Sequence, residues 1–216
     1  MKRLRRLVEH KALVFVLCCV PLLWIAFDAW RGNLTADPIK EVEHRTGDWT
    51  LRLLLTTLAI SPVVGLSGWN WPRRARRMLG LFTFFYGLVH FTMWIGLDQA
   101  LFFGQLELAE LKKDIFERKY ITVGFAALVL MIPLASTSTN WAIRNLGGNR
   151  WRWLHRLVYL SALGGVVHYY WLVKSSHVRP LTYAAVFLVL MSWRVWDAIR
   201  GKRAAKAKAA RVAFSA

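Results

Sequence analysis

Six long apolar runs, near residues 12–30, 50–67, 78–97, 119–136, 153–173 and 180–198, leave this chain few ways to fold. A bilayer core about 30 Å thick is crossed by about 20 apolar residues in helical form. Inside hydrocarbon every backbone N–H and C=O needs an internal partner, so runs of this length and composition become helices. The expectation is an all-α fold: a polytopic membrane six-helix bundle, one transmembrane domain over residues 1–216 with 200–216 as a basic tail.

Charge settles the alternatives. The 216 residues are 56% hydrophobic yet carry a formal charge of +18. A soluble domain is rarely so apolar, and a nucleic-acid binder does not place its basic residues in short blocks between apolar runs. One set of connecting segments, containing both termini, holds Lys2, Arg3, Arg5, Arg6, Lys11, Arg73, Arg74, Arg76, Arg77, Arg144, Arg150, Arg152, Arg200, Lys202, Arg203, Lys206, Lys208 and Arg211. The other holds half as many, Arg31, Lys40, Arg45, Lys112, Lys113, Arg118, Lys119, Lys174 and Arg179. The positive-inside rule then assigns both termini to the cytoplasm, and the tail to the neighbourhood of anionic lipid.

The only cysteines, Cys18 and Cys19, are adjacent within the first run and build neither a disulfide framework nor a thiolate metal site. That run follows a basic segment, as in a signal peptide, but it is long and lacks a small-x-small cleavage site, so it reads as a permanent anchor. Pro62 interrupts the second run and frees a carbonyl that Thr56, Thr57 or Ser61 could satisfy. Trp69 and Trp71 beside Arg73–Arg77 suit an interface anchor, or a patch receiving flavin phosphate or haem propionates. LELAELKKDIFERK has charges at helical spacing and predicts a short surface helix. The fourth run reads as packing, and STSTNWAIRNLGGNR as a polar loop turning at Gly147-Gly148.

Three histidines sit in the runs. Ionisable groups there are costly and by default functional. His90 lies about 18 Å along its helix from Met78, and His168 about 22 Å along its helix from Trp153, both measured from the same membrane face. Imidazoles at matching depth on two helices can hold a haem iron axially. Gly164, Gly165 and Ala162 would let the ring approach the backbone. His155 lies nearer the cytoplasm, with Arg76 on the face of the third helix that also carries His90. Arginine stays protonated and is a poor iron ligand, so Arg76 suits propionates, and His155 either ligates an inner haem or forms hydrogen bonds. On one ideal helix His155 and His168 diverge by about 140°, so both serve a single cleft only if the helix bends, as Gly164-Gly165 allows. His10, His44 and His177 lie in or beside loops and read as solvated. No nucleophile and base pair or paired carboxylates occur in the spans, which favours one-electron relay over bond making.

The segments DPIKEVEHRTGDWTLRLLLTTL (37–58), RRMLGLFTFFYGLVHF (76–91), WRWLHRLVYL (151–160) and HYYW (168–171) together resemble the MsrQ family, formerly YedZ. These are haem-binding membrane subunits of periplasmic protein-methionine-sulfoxide reductase systems, with a ferric reductase-like transmembrane domain. The resemblance implies one haem b, or two, in a bacterial inner membrane, with His90, His155 and His168 as haem-site residues. It implies electrons from the quinone pool or a flavin reductase, with FMN as a further cofactor. It implies delivery to MsrP, a periplasmic molybdenum enzyme, so that the chain is an electron-transfer subunit rather than an enzyme. Larger oxidase relatives carry two histidines on the third helix, and here Arg76 replaces one, which bears on the second haem. The rivals are a stand-alone transmembrane ferric or oxygen reductase and a non-haem transporter.

Overall fold

The computed structural model describes residues 2–99, 101, 104 and 107–214, with side chains described for 11–99, 101, 104 and 107–205. His10, the basic side chains of residues 2–6 and 206–211, and part of the loop after Asp98 therefore lie outside the described residues. Eight α-helices follow in order: α1 Lys2–Trp30, α2 Pro38–Ser67, α3 Pro72–Met93, α4 Leu108–Glu117, α5 Lys119–Ser136, α6 Asn140–Leu154, α7 Leu157–Leu172 and α8 Val178–Phe214. Among the described residues there is no strand. Five helices are long and apolar enough to cross a membrane, and α7 is a shorter apolar helix of 16 residues.

Helix α2 is the central post. It starts at Pro38, where Pro fits the first turn and Asp37 accepts from the Lys40 N–H, and it ends at Gly68 with φ 72°. The segment connecting the first two apolar runs is thus helical from Pro38 onward. Helix α2 packs along α3, α5 packs along α7, and α8 closes on α2 and α7. Leu51, Leu54, Leu55 and Leu58 of α2 join Ala162 and Val166 of α7 and Phe187 and Leu190 of α8 in one buried cluster. On the other side of α2, Leu53 meets Cys18 of α1 and Tyr86 of α3. The Tyr86 hydroxyl is inserted into α1 beside Pro21: it donates to the Cys18 carbonyl at 2.8 Å and accepts from the Leu22 N–H at 3.0 Å.

Small residues set the spacing, as expected where packing rather than water drives association. A Cβ on Gly164 would lie 3.0 Å from the Ala127 Cβ, and one on Gly165 would lie 3.4 Å from Leu51. These glycines serve contacts of α7 with α5 and α2, which corrects the expectation that they admit a porphyrin. Nor is the bend at Gly164-Gly165: α7 runs through both, and the helix instead breaks at His155-Arg156.

The carbonyl freed by Pro62 belongs to Leu58, four residues earlier. Its partner is Arg194 of α8, whose Nη2 donates at 2.8 Å. Thr56 and Thr57 bond their own i−4 carbonyls, and Ser61 accepts from Arg76, so none of the three expected partners is used. The short surface helix is present as α4. The polar segment after α5 is mostly helical, interrupted at Gly147 with φ 73°. The basic tail continues the α8 backbone as helix to Phe214.

Candidate functional site

Helices α2, α3, α5 and α7 bring His90 and His168 together, with ring centres 6.2 Å apart and planes at 75°. Each ring is seated in the same way. His90 of α3 donates from Nδ1 to the Glu43 carbonyl of α2 at 2.9 Å, and lies over Gly47, one helical turn on. A Cβ at Gly47 would stand 3.0 Å from the ring Cε1 and 3.1 Å from Nδ1. His168 of α7 donates from Nδ1 to the Tyr120 carbonyl of α5 at 2.6 Å, and lies over Gly124, again one turn on. There a Cβ would stand 2.5 Å from Nδ1 and 2.9 Å from Cε1. In both seats a carbonyl and the glycine four residues later form a notch that the imidazole fills.

A carbonyl can only accept, so each Nδ1 carries the proton and each Nε2 keeps its lone pair. That is how metal-binding imidazoles are commonly oriented, by a second partner that fixes tautomer and ring plane. Two imidazoles on opposite faces of one iron, with metal–nitrogen bonds of about 2.0 Å, have ring centres about 6 Å apart. The observed separation fits a group of that kind. Among the described residues no three or more His, Cys, Asp or Glu side chains gather as a closed metal site would require. Two imidazole nitrogens alone fit a metal whose remaining ligands come from a macrocycle.

At the other end of the bundle the furnishing changes. His155 caps α6, donates from Nδ1 to the Trp151 carbonyl at 3.1 Å and stacks on the Trp151 ring at 3.8 Å. Trp151 is itself held, its Nε1 donating to the Thr137 carbonyl at 3.0 Å. The His155 Nε2 is buried with no partner. Arg76 reaches Ser61 of α2, at 2.9 Å, rather than His155. Like His90, it faces α2, so the two do share one side of α3. His44 is exposed, and His177 lies against Tyr170 with ring centres 4.9 Å apart.

Sequence reasoning named the imidazoles but not their seats. Gly47 lies just before the second apolar run, and the fourth run, now α5, reads in the sequence as packing alone. Nothing local distinguishes Gly124 from a packing glycine, because its role depends on α7 lying across it. Arg194 also went unremarked, although a lone cation in an apolar run is a signal in itself.

Residues 46–166 match the family described as ferric reductase like transmembrane component, which makes this a multi-pass membrane protein of the ferric reductase-like class. The chain is 48% identical to a protein of Ralstonia nicotianae (strain ATCC BAA-1114 / GMI1000), covering 88% of this chain and 86% of that one. It is 46% identical to one of Azospira oryzae (strain ATCC BAA-33 / DSM 13638 / PS), covering 91% and 82%. It is 47% identical to one of Caulobacter vibrioides (strain ATCC 19089 / CIP 103742 / CB 15), covering 87% of each. All three relatives are named protein-methionine-sulfoxide reductase heme-binding subunit MsrQ. Within the ferric reductase-like class, this chain belongs to the MsrQ family. No solved structure matches it.

Proposed function

We propose that this chain is a haem-binding membrane electron-transfer subunit of a protein-methionine-sulfoxide reductase system. His90 and His168 would hold one haem b through their Nε2 atoms, and His155 would serve a second where the chain binds two. The single observation that carries the reading is the facing pair of imidazoles, each tied through Nδ1 to a backbone carbonyl, with ring centres 6.2 Å apart. The family names support the same cofactor class.

A haem held in this way supplies a reversible one-electron carrier within the membrane. The chain's own part is positional. The Glu43 and Tyr120 carbonyls hold the protons on Nδ1, Gly47 and Gly124 clear the rings' path, and the surrounding apolar helices exclude water. Electrons enter at the cytoplasmic end from the quinone pool or a flavin reductase, with FMN as a candidate carrier. They leave at the His90 end to an MsrP-type periplasmic partner, which performs the reduction. Basic connecting segments support an inner-membrane placement with both termini cytoplasmic, and the whole chain acts as one transmembrane domain.

The test is a reduced-minus-oxidised spectrum of the purified full-length protein, with haem quantified as pyridine hemochrome. His90→Ala and His168→Ala should each remove the same absorption, and His155→Ala should spare it. Full haem content and an unchanged spectrum in either of the first two variants would overturn the assignment.

A further inference from the structure

Three buried side-chain nitrogens have no hydrogen-bond partner among the described residues: His155 Nε2, Trp193 Nε1 and Arg194 Nη1. None belongs to the His90–His168 pair. Two are obligate donors, one on a group that is always charged. Trp193 lies against Gly65 near the end of α2, where a Cβ would come 2.6 Å from its Cζ2.

Arg194 is fixed on two sides. Its Nη2 donates to the Leu58 carbonyl released by Pro62, and its Nε donates to the Tyr159 hydroxyl at 3.2 Å, with the guanidinium 5.3 Å over the Tyr159 ring. These contacts turn the cation inward, toward α2 and α7, rather than letting it snorkel to the membrane surface. Six residues further on, Arg200 begins the basic block of α8. Arg194 thus sits within about 10 Å of the start of that block.

Its electrostatic surroundings are one-sided. Arg76 and Arg194 both donate to α2 about one helical turn apart, at Ser61 and at the Leu58 carbonyl, and neither pairs with a carboxylate among the described residues. Arg52, another cation within an apolar run, shows the ordinary solution: Asp48 lies 3.5 Å away and Tyr183 accepts from its Nε at 2.9 Å. A partly buried cation beside a like charge, with one donor left over, is costly until an anion joins it.

We infer that Arg194 and Arg76 form an oxyanion site at the His155 end of the bundle, with Arg194 Nη1 and Trp193 Nε1 as its open donors, taking the carboxylate or phosphate of an electron-carrying cofactor. This deepens the haem-subunit reading and rests on it for the kind of ligand. The carboxylate source is a second porphyrin and the phosphate source is a flavin mononucleotide. Arg194 is the principal determinant because its geometry is already fixed by Leu58 and Tyr159, and Arg76, held by Ser61, closes the site from α3.

The full-length protein in nanodiscs is titrated with FMN and with riboflavin, which lacks the phosphate. Haem stoichiometry is measured after reconstitution with protohaem and with its dimethyl ester, which lacks the carboxylates. If the anion is phosphate, Arg194→Gln weakens FMN at least tenfold and leaves riboflavin unchanged. If it is a propionate, Arg194→Gln and the dimethyl ester each remove one haem per chain while the His90-dependent absorption stays. Arg76→Gln, on a more exposed side chain, should act in the same direction and decides the matter if Arg194→Gln does not fold. Wild-type FMN affinity together with wild-type haem stoichiometry in the folded variants would overturn the site. Absence of His90-dependent absorption in the wild type would instead sink the haem reading, and the FMN arm would still report on the arginines.

Discussion

At the His90 end, two imidazoles are each tied to a backbone carbonyl in matching notches. Toward the His155 end, by contrast, three buried nitrogens, of His155, Trp193 and Arg194, have no hydrogen-bond partner among the described residues. The first arrangement is complete except for the two Nε2 lone pairs it presents, which suits a metal that needs only axial nitrogen. The second has two unused donors, on Trp193 and Arg194, and among the described residues no carboxylate pairs with its arginines, which suits a ligand that brings negative charge. On the proposed reading one bundle holds a nitrogen clamp at one end and an anion receptor at the other, and the sharpest experiments change one end while watching the other.

The largest effect is expected at Gly124. An added Cβ would press into the His168 ring, 2.5 Å from its Nδ1, and the ring is held in place by its hydrogen bond to the Tyr120 carbonyl. Overpacking of this kind costs about 1–3 kcal/mol, and here it would either expel Nδ1 from the Tyr120 carbonyl or tilt the ring. Gly124→Ala should lose most of the bound haem or show a displaced midpoint potential and an altered low-spin EPR spectrum. Gly47→Ala meets His90 at 3.0 Å and should do the same more weakly. Neither should alter ligand affinity at the His155 end. Equal and negligible effects from both would mean that the notches do not orient the rings.

How far the sequence discloses this arrangement depends on the range of the interaction. The apolar runs speak for themselves, because helix length against bilayer thickness is a local property. Equal depth of His90 and His168 follows from counting along two helices, and the 6.2 Å approach agrees with that count. Seats and breaks are different. Gly124 matters only because α7 crosses α5 there, while Gly164 and Gly165, which look better suited to receive a ring, are consumed by helix packing. The break at His155-Arg156 carries no glycine or proline to announce it. Arg194 as partner of the Leu58 carbonyl joins residues 136 positions apart, beyond any periodicity argument.

Gly164→Ala sharpens the comparison as a packing control. Its Cβ would meet the Ala127 Cβ at 3.0 Å in the contact between α5 and α7, so the helices must part slightly. The expected result is a thermal midpoint lowered in proportion to about 1–2 kcal/mol, with haem content and spectrum near wild type at low temperature. A spectral change as large as that of Gly124→Ala would restore the view that the paired glycines of α7 face the cofactor.

Pro62→Ala carries the smallest stability effect and the most informative sign. Alanine restores the N–H that the Leu58 carbonyl lacks and removes a residue that costs a helix interior up to about 3 kcal/mol. The surrounding fold has already adapted to the proline, so the net gain should be a fraction of that. The restored N–H, however, competes with Arg194 Nη2 for the same carbonyl and loosens the guanidinium. A variant that melts slightly higher yet binds FMN, or the second haem, several-fold more weakly would tie the proline to the receptor at the His155 end. The His90–His168 spectrum should not move, because Gly47 and Glu43 lie about four and five turns earlier on α2. Higher stability with unchanged ligand affinity would leave Pro62 as a kink alone and would reduce Arg194 to a strut between α8 and α2.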